Sequence, residues 1–560
     1  MKREDGSAEA PLGSALLLFV AVLTTIAAAA AAWAITGRPP MIGIDDAAIT
    51  RNYAENLAQG HGFVYFVGGE RVEGATSFLW TLIVALAYLA APNAPELPII
   101  ALSAGLTTAA VFATLSLTAL EARIFGAPQR PAIFAAAFAL IALPGFFFWS
   151  VFTMMELALW SATLLVLVWR LARLVERPKP WSLGVIAAAA LLPLIRPEGA
   201  AMALGLLVLA ALLMGRWPRG LIAAIIATVA TTAGLVLFRL IYFGYPVPNT
   251  FYAKVSSDRM QDLADGAKYL FSFVSGMPLA GALLALWAAG VVWALWRHFS
   301  DRPEGARGLI IGAAAIIGVL AGYALLGGDH FAYWRFYQPI APLLAVGFAL
   351  AFSVLVTDLS PRIPALTRAG CVAAAGLVWL AIAYGDLRQA RFDLLKEFSL
   401  VEQGMAFGRL MNEVAPGSTL GVGPAGGISL TYEGPILDLL GLNWVEMAHA
   451  NPVKIGMRNH ASFDAATFWR HQPDLVAEFN LPCVTTDPSV PSGSAGTLRS
   501  LYIEKTFRES YTPIRVDDSA RGSCWIGFGR RNWIPSVTDP RLVPLSWSEI
   551  RITKAPSPPS

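Results

Sequence analysis

Long apolar runs dominate this chain and constrain its fold more than any other feature. Ten of them have the roughly 17–25 residues that a helix needs to cross a bilayer. They lie near 15–36, 98–120, 131–149, 153–174, 198–214, 220–243, 278–297, 308–326, 338–357 and 367–385. Only 14% of the residues are charged and 56% are hydrophobic, whereas soluble domains carry about 25% charged residues. The sequence therefore predicts a polytopic α-helical membrane protein.

Basic loops predict the orientation of these helices, because arginine and lysine favour the cytoplasmic side of a membrane. Five such loops lie at 123–130, 170–179, 215–219, 297–307 and 362–368. All five share one side only if one of the apolar runs near 78–91 and 98–120 does not cross. We expect the shorter run, 78–91, to lie at the interface. With a further short run near 181–195, this gives about eleven transmembrane helices. The N-terminus is then cytoplasmic and the C-terminus extracytoplasmic.

The composition changes after about residue 386, where the apolar runs end. We predict a transmembrane domain over 1–385, with 37–97 as the first outer loop, and an extracytoplasmic α/β domain over 386–545. Its strands are predicted at 418–423, 436–439 and 523–528. The Pro- and Ser-rich tail, 546–560, is expected to be disordered.

Two features of the C-terminal domain have alternative interpretations. Residues 421–426 match the dinucleotide-binding pattern GxGxxG, and Asp438 lies where a ribose-binding acid would be expected. Pro424 falls in the phosphate turn, however, and the predicted compartment is poor in dinucleotides, so we predict a tight strand-to-helix turn and no nucleotide. Cys483 and Cys524 either form a disulfide in an oxidising space or remain two buried thiols.

Two adjacent acids, Asp45 and Asp46, follow the first apolar run. Neighbouring carboxylates repel each other, so they are tolerated in water, beside a cation, or where one accepts a proton from a substrate. A short amphipathic helix is predicted at 47–59, so a helix cap is the structural alternative. The acid pair by itself leaves both interpretations open.

Each later loop on the same predicted side also carries polar side chains. Charged groups beside apolar helix ends are costly and usually serve a site or a pairing partner. Snorkelling and helix capping explain any one of them singly. The candidate residues are Glu156, Arg196, Glu198, Arg239, Asn249, Lys254, Asp329, His330 and Arg335.

This combination suits a substrate with an apolar tail and a phosphate head. The tail would lie between helices, and the basic side chains Arg196, Arg239, Lys254, His330 and Arg335 would bind the phosphate. One acid of the pair would take a proton from an attacking sugar hydroxyl. A divalent metal such as Mg²⁺, Mn²⁺ or Ca²⁺ would assist the leaving group. Its candidate ligands are Asp45, Asp46 and His61, although a lone loop histidine is more often merely exposed.

The charge pattern gives no indication of nucleic-acid binding. The net charge is only +3, and no basic cluster of the kind that binds a phosphate backbone is present in the sequence. Neither a Ser-His-Asp arrangement nor a His/Cys set with zinc spacing is visible.

Several segments resemble the polyprenyl-phosphate-sugar-dependent GT-C glycosyltransferases, and among them the terminal arabinofuranosyltransferases of mycobacterial cell-wall arabinan. The resemblance begins with the acid pair and continues in order through most of the chain. Its segments are 53–63, 68–80, Met155 with Glu156, 196–199, 248–254, 327–329 with 335–336, and 438–443. This chain departs from the pattern at 65–67, where an Asn-Pro-like turn is expected, and at 443–446, where an acid is expected after the asparagine.

The resemblance implies a GT-C-like membrane enzyme in the bacterial inner (plasma) membrane. Asp45 and Asp46 would form its catalytic centre, with Glu156 as the acid of the second outer loop. The donor would be a polyprenyl-phosphate sugar, with arabinofuranose as one candidate. The acceptor would be an envelope glycan or glycolipid that the C-terminal domain helps to bind.

Two other function classes fit parts of the sequence. A flippase for lipid-linked sugars would place charged residues near mid-membrane and show broken helices in matching halves. The polar groups here are predicted at one face, and no repeated halves are visible. A sensor would use the C-terminal domain to bind a ligand, but about eleven spans exceed what an anchor requires.

Overall fold

The computed structural model describes residues 13–255, 258–299, 307–359, 364–450, 463–482, 489–490, 498, 501–518, 521–549 and 551–552. The chain divides into two compact units, each built from three sequence segments. The first unit comprises Met1–Pro39, Ile100–Leu235 and Leu263–Leu394. The second unit comprises Pro40–Ile99, Val236–Asp262 and Leu395–Ser560.

Helices make up most of the described chain. In its first half they are α1 Ser14–Ile35, α2 Asp45–Ala58, α3 Phe78–Ala90, α4 Glu96–Ile124, α5 Gln129–Ile141, α6 Pro144–Phe147, α7 Leu157–Glu176, α8 Leu183–Ile195, α9 Gly199–Met214, α10 Arg219–Tyr242, α11 Asn249–Lys254 and α12 Arg259–Gly276. The later helices are α13 Pro278–Phe299, α14 Arg307–Leu325, α15 Ala341–Leu359, α16 Ala365–Gln389, α17 Arg391–Val414, α18 Gly426–Ser429, α19 Val445–His449, α20 Ala465–His471 and α21 Lys505–Ser510. A π-helical turn, Phe148–Phe152, follows α6, and a 3₁₀ helix, Arg335–Ile340, precedes α15.

Within the described ranges, seven helices are long and apolar enough to cross a membrane, and two bent helix pairs raise that number to nine. Three shorter apolar helices, α3, α8 and α9, have 13 to 16 residues. The seven to nine candidate spans are roughly consistent with the predicted number of about eleven. At about 1.5 Å per residue, α3 and α8 are both shorter than the ~30 Å apolar core of a bilayer, so the interfacial position of α3 stays a prediction. The predicted polytopic membrane fold is therefore confirmed.

The run at 131–149 differs from the single straight span that its apolarity suggests. The structure breaks it between α5 and α6, and the two parts meet at 68°. The break falls at Leu143 and Pro144. Proline has no N–H to continue the helix and disfavours helical geometry in the residue before it, and Leu143 accordingly leaves the helical region at φ −119° and ψ 59°.

The second unit contains the predicted small α/β domain. Its strands are β1 Leu420–Val422, β2 Ile436–Asp438, β3 Leu475–Pro482, β4 Ser489–Val490, β5 Tyr511–Asp518, β6 Ser523–Arg530, β7 Leu542–Pro544 and β8 Arg551–Ile552. Six of them form a sheet in the order β2-β1-β3-β6-β5-β7, in which β1 pairs in parallel with β2 and β3 and the other pairs are antiparallel. The other two strands, β4 and β8, pair with each other. All three predicted strands are present.

The sheet is buried on both faces, as the alternation along β3 shows. Leu475 and Ala477 belong to one hydrophobic core, while Val476 between them belongs to the other. This follows from the two-residue period of a strand. The first core also contains Ile49 and Tyr53 of α2. The segment after the first apolar run is thus packed into the same core as the sheet.

Two predictions fall partly outside the described residues. Cys524 is disulfide-bonded, which agrees with the first of the two alternatives, whereas Cys483, its expected partner, lies outside the described residues. The first part of the predicted disordered tail, 546–560, is ordered: Trp547–Glu549 forms a 3₁₀ helix and Arg551–Ile552 forms β8. From residue 553 onward the tail lies outside the described residues, and its disorder there stays a prediction.

Candidate functional site

Asp45 is the first residue of α2, but its side chain does not cap that helix. Ile44 occupies the N-cap position, and no side chain makes a capping hydrogen bond there. The carboxylate of Asp45 instead accepts hydrogen bonds from the backbone N–H groups of Gly426 (3.1 Å) and Gly427 (2.9 Å). Asp45 is only 8% exposed. The geometry thus decides against the helix-cap interpretation of this residue.

The GxGxxG-like segment provides these two N–H groups. Residues 421–427, which we call the glycine turn, lead from β1 into α18. A Cβ atom on Gly426 would lie 1.9 Å from the backbone oxygen of Asp45, so no larger residue fits without displacing the chain. Backbone N–H groups that would face a phosphate in a dinucleotide site here face a carboxylate of the same chain.

Burial raises the pKa of Asp45 to about 6, against an ordinary value near 3.8. The hydrogen bonds from Gly427 and Gly426 act in the opposite direction, and the charge of Asp46 raises the pKa further. A carboxylate with a pKa near neutrality is better suited to accept and release a proton than one with an ordinary value.

Asp46 lies beside a cation. Its Oδ2 atom is 4.0 Å from Nζ of Lys254, the last residue of α11. Both side chains are partly accessible, at 14% for Asp46 and 24% for Lys254. The structure therefore brings together Asp45, Asp46 and Lys254, three of the residues that the sequence singled out.

A buried polar network surrounds this group in the second unit. Asp438 at the end of β2 accepts hydrogen bonds from the backbone of Leu440 (2.9 Å) and from the backbone and side chain of Asn443 (2.9 and 2.8 Å). Asn443 in turn accepts from the hydroxyl of Tyr53 on α2 at 3.1 Å. Asn249 donates to the carbonyls of Gly441 and Leu442 at 2.9 and 3.0 Å. These bonds fix α2 and α11 to the loop after β2.

Arg239 forms a buried, bidentate ion pair with Glu73. Its Nε and Nη2 atoms lie 2.7 and 2.8 Å from the two carboxylate oxygens, and both side chains are at most 6% exposed. Such fork-like pairs are strong and specific in geometry. Arg239 was predicted to bind phosphate, and in this structure its guanidinium binds Glu73.

We expect any reaction in which the carboxylate of Asp45 accepts a proton to become faster as the pH rises through the pKa of Asp45. The rate should rise about ten-fold per pH unit below pH 6 and level off above it. A pH–rate profile measures this. Asp393→Asn, which changes an exposed acid in the first turn of α17, is the control and should keep the same profile. A flat profile between pH 5 and about pH 7 would contradict the assignment.

The free energy of unfolding, in contrast to the rate, should fall as the pH rises. Burial raises the pKa values of Asp45 and Asp438 above the ordinary 3.8 in the folded state. The folded state therefore binds protons more tightly than the unfolded state between about pH 4 and 6. The stabilisation that comes from this tighter proton binding is fully present below about pH 4 and is lost as the pH rises through about 6.

The first unit contains a separate polar cluster at the start of α7 and α9. Arg196 bonds Glu156 through Nη1 and Glu198 through Nε, the latter at 2.6 Å. Glu198 also accepts from the hydroxyl of Tyr323 at 2.5 Å. The guanidinium lies over the rings of Tyr323 and Phe336, 5.6 and 5.2 Å from their centroids. Three predicted site residues, Glu156, Arg196 and Glu198, thus contact one another.

A second cluster lies in the loop after α14. Arg335 binds both carboxylate oxygens of Asp329, at 2.9 and 3.3 Å, and lies 3.8 Å from the ring centroid of Phe331. Nδ1 of His330 is 3.5 Å from the same carboxylate. Asp329, His330 and Arg335, the remaining predicted site residues of the first unit, therefore also form a group. Arg335 here, like Arg196 in the first cluster, already binds a carboxylate.

An apolar cavity of about 360 Å³ lies between α9 and α14. Its wall is formed mainly by small and aliphatic residues, including Gly205, Leu206, Gly318 and Gly322. Glu198 and Tyr323 supply polar groups to it. Tyr323 also lines, with Glu156 and Arg196, the small pocket of the polar cluster. The cavity is therefore mostly apolar and has a charged residue, Glu198, in its wall.

Protein side chains alone do not form a complete metal site within the described ranges, where no group of three or more His, Cys, Asp and Glu residues could hold an ion. Both oxygens of Asp45 accept backbone hydrogen bonds. His61 is exposed beyond the end of α2. A metal would need further oxygen ligands from a substrate, so the residues present do not by themselves fit one.

Several residues of these sites were not predicted from the sequence. They are Glu73, Tyr323 and the glycine turn. The GxGxxG match drew attention to residues 421–426, but only as a tight strand-to-helix turn without a nucleotide. Glu73 lies in the segment 68–80 that carries the resemblance, yet nothing local indicated that it pairs with Arg239 or that Tyr323 bonds Glu198, because these partners lie more than a hundred residues apart.

The fold is that of a polytopic helical membrane protein that carries a small α/β domain. Among solved structures, ArnT from Cupriavidus metallidurans, crystallised with bound undecaprenyl phosphate, is similar, with a TM-score of 0.53 and 10% sequence identity. The match covers 91% of this chain and 98% of that chain. At this identity the likeness concerns the fold alone. No protein-family model matches the sequence, and no curated protein matches it.

Proposed function

We propose that this protein is a membrane glycosyltransferase that transfers a sugar from a polyprenyl-phosphate donor to an envelope glycan or glycolipid. The observation that carries the proposal is the environment of Asp45. A buried carboxylate with a raised pKa is held by two backbone N–H groups, and the next residue lies beside Lys254. The GT-C-type fold and the undecaprenyl phosphate bound to ArnT support the same reaction class.

The proposed reaction is a displacement at the anomeric carbon of the donor. The acceptor hydroxyl oxygen forms a bond to that carbon while the bond to the phosphate oxygen breaks. Asp45 takes the hydroxyl proton, and polyprenyl phosphate leaves with the bonding electrons. Lys254 offsets the negative charge on the leaving phosphate, and Asp46 positions the lysine side chain.

Lys254 is the best candidate for the phosphate contact because the three arginines are already bound to carboxylates. Arg196, Arg239 and Arg335 each pair at 2.6–2.9 Å, whereas Lys254 is 4.0 Å from its partner. An ammonium group this loosely paired can reach a phosphate without leaving a buried carboxylate unpaired. This refines the predicted set of phosphate-binding residues.

Neutralising Lys254 should weaken donor binding and also lower kcat, because the lysine is proposed to contact the donor phosphate and to offset the charge of the leaving phosphate. We expect Lys254→Gln to raise the donor KM about 10- to 100-fold, since a hydrogen bond to a charged group contributes about 1.5–3 kcal/mol. Lys254→Arg keeps the charge and should recover part of the affinity. Lys268→Gln is a matched control, because Lys268 also pairs with an aspartate, Asp265, but is 64% exposed. Equal KM values for the wild type and Lys254→Gln would contradict the assignment.

Taken by itself, the apolar cavity of the first unit is proposed as a binding site for an isoprenoid chain. Isoprenoid tails are apolar, and burying each CH₂ contributes about 0.8 kcal/mol. The wall is almost free of polar groups, apart from Glu198 and Tyr323. The proposal therefore predicts that long-chain donors bind more tightly than short-chain donors.

Filling this cavity tests the tail site. Gly322 lines it, and a Cβ atom there would meet no other atom within 4 Å, so Gly322→Leu should fit without unfolding the protein. We expect this variant to lower the preference for undecaprenyl over farnesyl donors about ten-fold or more. Gly105→Leu, on α4 and equally open, is the control. An unchanged chain-length preference would contradict this site.

The finer identity of the reaction belongs to the same proposal. Arabinofuranose is the sugar that the sequence resemblance indicates. The chain would lie in the inner (plasma) membrane of a bacterium with its N-terminus cytoplasmic and its α/β domain outside. The proposed steps use protein groups only, and a chelator arm in the transfer assay tests the expected divalent metal separately.

A further inference from the structure

A polar cleft of about 320 Å³ lies in the second unit, along α2. One wall is α2 itself, and the other is the segment 429–433 that follows the glycine turn. The loop 65–67 closes one end. None of the steps proposed above uses this cleft.

The α2 wall presents polar groups at helical spacing. Asn52 and Asn56 lie one turn apart, and each donates its side-chain N–H to a backbone carbonyl, of Tyr65 (2.6 Å) and Val64 (2.9 Å). Within the described residues, no hydrogen bond engages their side-chain oxygens. Glu55 and Gln59 stand on the same helix and bond to each other at 3.3 Å. These planar groups can accept and donate several hydrogen bonds in a fixed geometry.

The opposite wall adds hydroxyls, a carboxylate and an aromatic ring. Thr431 and Glu433 line it, and Glu433 is exposed. At the closed end, the ring of Phe66 is partly exposed. A concave site with a few placed polar groups and an apolar surface is typical of a small-molecule site. Amides, carboxylates and an aromatic face together match the hydroxyl-rich edge and apolar face of a sugar ring.

The charge of the cleft restricts its ligand. Two carboxylates, Glu55 and Glu433, line it, and no described lysine or arginine does. An anionic ligand such as a phosphate or a uronic acid would be repelled. The cleft therefore disfavours an anion, and the amide and hydroxyl groups of its walls suit a neutral ligand that carries hydroxyls.

The cleft is connected to the proposed base through two elements. Asn52 is seven residues from Asp45 on the same helix, or about 10 Å along its axis. Tyr65 lines the cleft and donates its hydroxyl to the carbonyl of Ala425, directly before the Gly426 N–H that binds Asp45.

We propose that this cleft binds the sugar rings of a neutral glycan and presents the acceptor to Asp45. The assignment of the glycan as acceptor rests on the proposed function, whereas glycan binding itself does not. The cleft thus determines that the acceptor is uncharged and rich in hydroxyls.

The test is a binding titration of the purified full-length protein in detergent, followed by ligand-observed NMR. The probes are neutral disaccharides, namely arabinobiose, mannobiose and galactobiose, and an acidic disaccharide of the same length that ends in glucuronate. The variants are Gln59→Leu, Phe66→Ala and Glu433→Gln. Glu402→Gln, an exposed acid of the same unit on α17, is the matched control. Binding of undecaprenyl phosphate is measured in parallel.

We expect the wild type to bind at least one neutral disaccharide and to bind the acidic one much more weakly. Gln59→Leu and Phe66→Ala should each weaken neutral binding about ten-fold, the effect of about one lost hydrogen bond or ring contact. Glu433→Gln should reduce the discrimination against the acidic probe. All three should bind undecaprenyl phosphate like the wild type.

Failure of this inference and failure of the proposed function give different results. No binding of any neutral disaccharide, equal binding by all variants, or equal binding of the acidic probe would each overturn the cleft. Neutral binding as expected, without sugar transfer by the wild type, would leave the cleft as a glycan site and reject the glycosyltransferase.

Discussion

Asp45→Asn is expected to lower sugar transfer about 10²- to 10⁴-fold, the usual contribution of a positioned general base. The asparagine has the same size but accepts no proton from the attacking hydroxyl. Stability should change little. Burial already disfavours the ionised form of Asp45, as its raised pKa indicates, so a neutral side chain relieves that cost while it loses one hydrogen bond.

Asp393→Asn is the matched control for this variant. Asp393 also lies in the first turn of a helix, α17, but it is exposed. Both variants should insert and melt like the wild type, and only Asp45→Asn should lose transfer. Comparable transfer by Asp45→Asn and wild type would reject Asp45 as the base. A loss of folding in Asp45→Asn would instead assign it a structural role.

Gly426→Ala is expected to have the second-largest effect, a loss of transfer of about 100-fold or more. The new methyl group would stand 1.9 Å from the backbone oxygen of Asp45, 2.7 Å from its carbonyl carbon and 2.8 Å from Oδ1. Backbone atoms cannot rotate away as a flexible side chain can. Either α2 or the glycine turn must shift, and the two N–H groups no longer hold the carboxylate.

This prediction is checked by kcat at saturating donor and by the pH–rate profile. If the N–H groups lower the pKa of Asp45, as their hydrogen bonds indicate, the residual activity of Gly426→Ala should show a higher apparent pKa. Gly105→Ala is the control, because a Cβ atom there meets nothing within 4 Å. Wild-type kcat and an unshifted profile would show that the glycine turn does not position Asp45.

The fold could be predicted because its signals are local. Most of the transmembrane helices are continuous apolar runs of about the length that a bilayer requires, and the basic loops and turn residues between the runs are visible in the sequence. The strands β1, β2 and β6 were predicted for the same reason. Pro144, which breaks one run, was visible too, but only the structure shows that a single proline bends that span by 68°.

The arrangement around Asp45 could not be predicted, because it depends on tertiary contacts. The two hydrogen bonds to its carboxylate join residues 381 and 382 positions apart. The sequence showed an acid pair and a glycine-rich turn as two unrelated motifs. In the folded protein, two N–H groups of the glycine-rich turn bind the carboxylate of Asp45.

The ion pairs of the arginines that were predicted to bind phosphate could be predicted only in part, for a related reason. The sequence marks Arg196, Arg239 and Arg335 as cations near apolar helices, which is costly unless they are paired. It does not reveal that Glu156, Glu73 and Asp329 are the partners. The ion pair of Lys254 is longer than those of the three arginines, and this distance can be seen only in the structure.

The most direct test of the central claim is sugar transfer by the purified protein in detergent. Radiolabelled polyprenyl-phosphate sugars, with arabinofuranose first, are supplied with membrane glycan acceptors, with and without chelator, and Asp45→Asn runs beside the wild type. We predict labelled glycan from the wild type and almost none from Asp45→Asn, with equal donor binding by both. Equal donor binding without transfer by either protein would contradict the claim and favour a flippase for lipid-linked sugars.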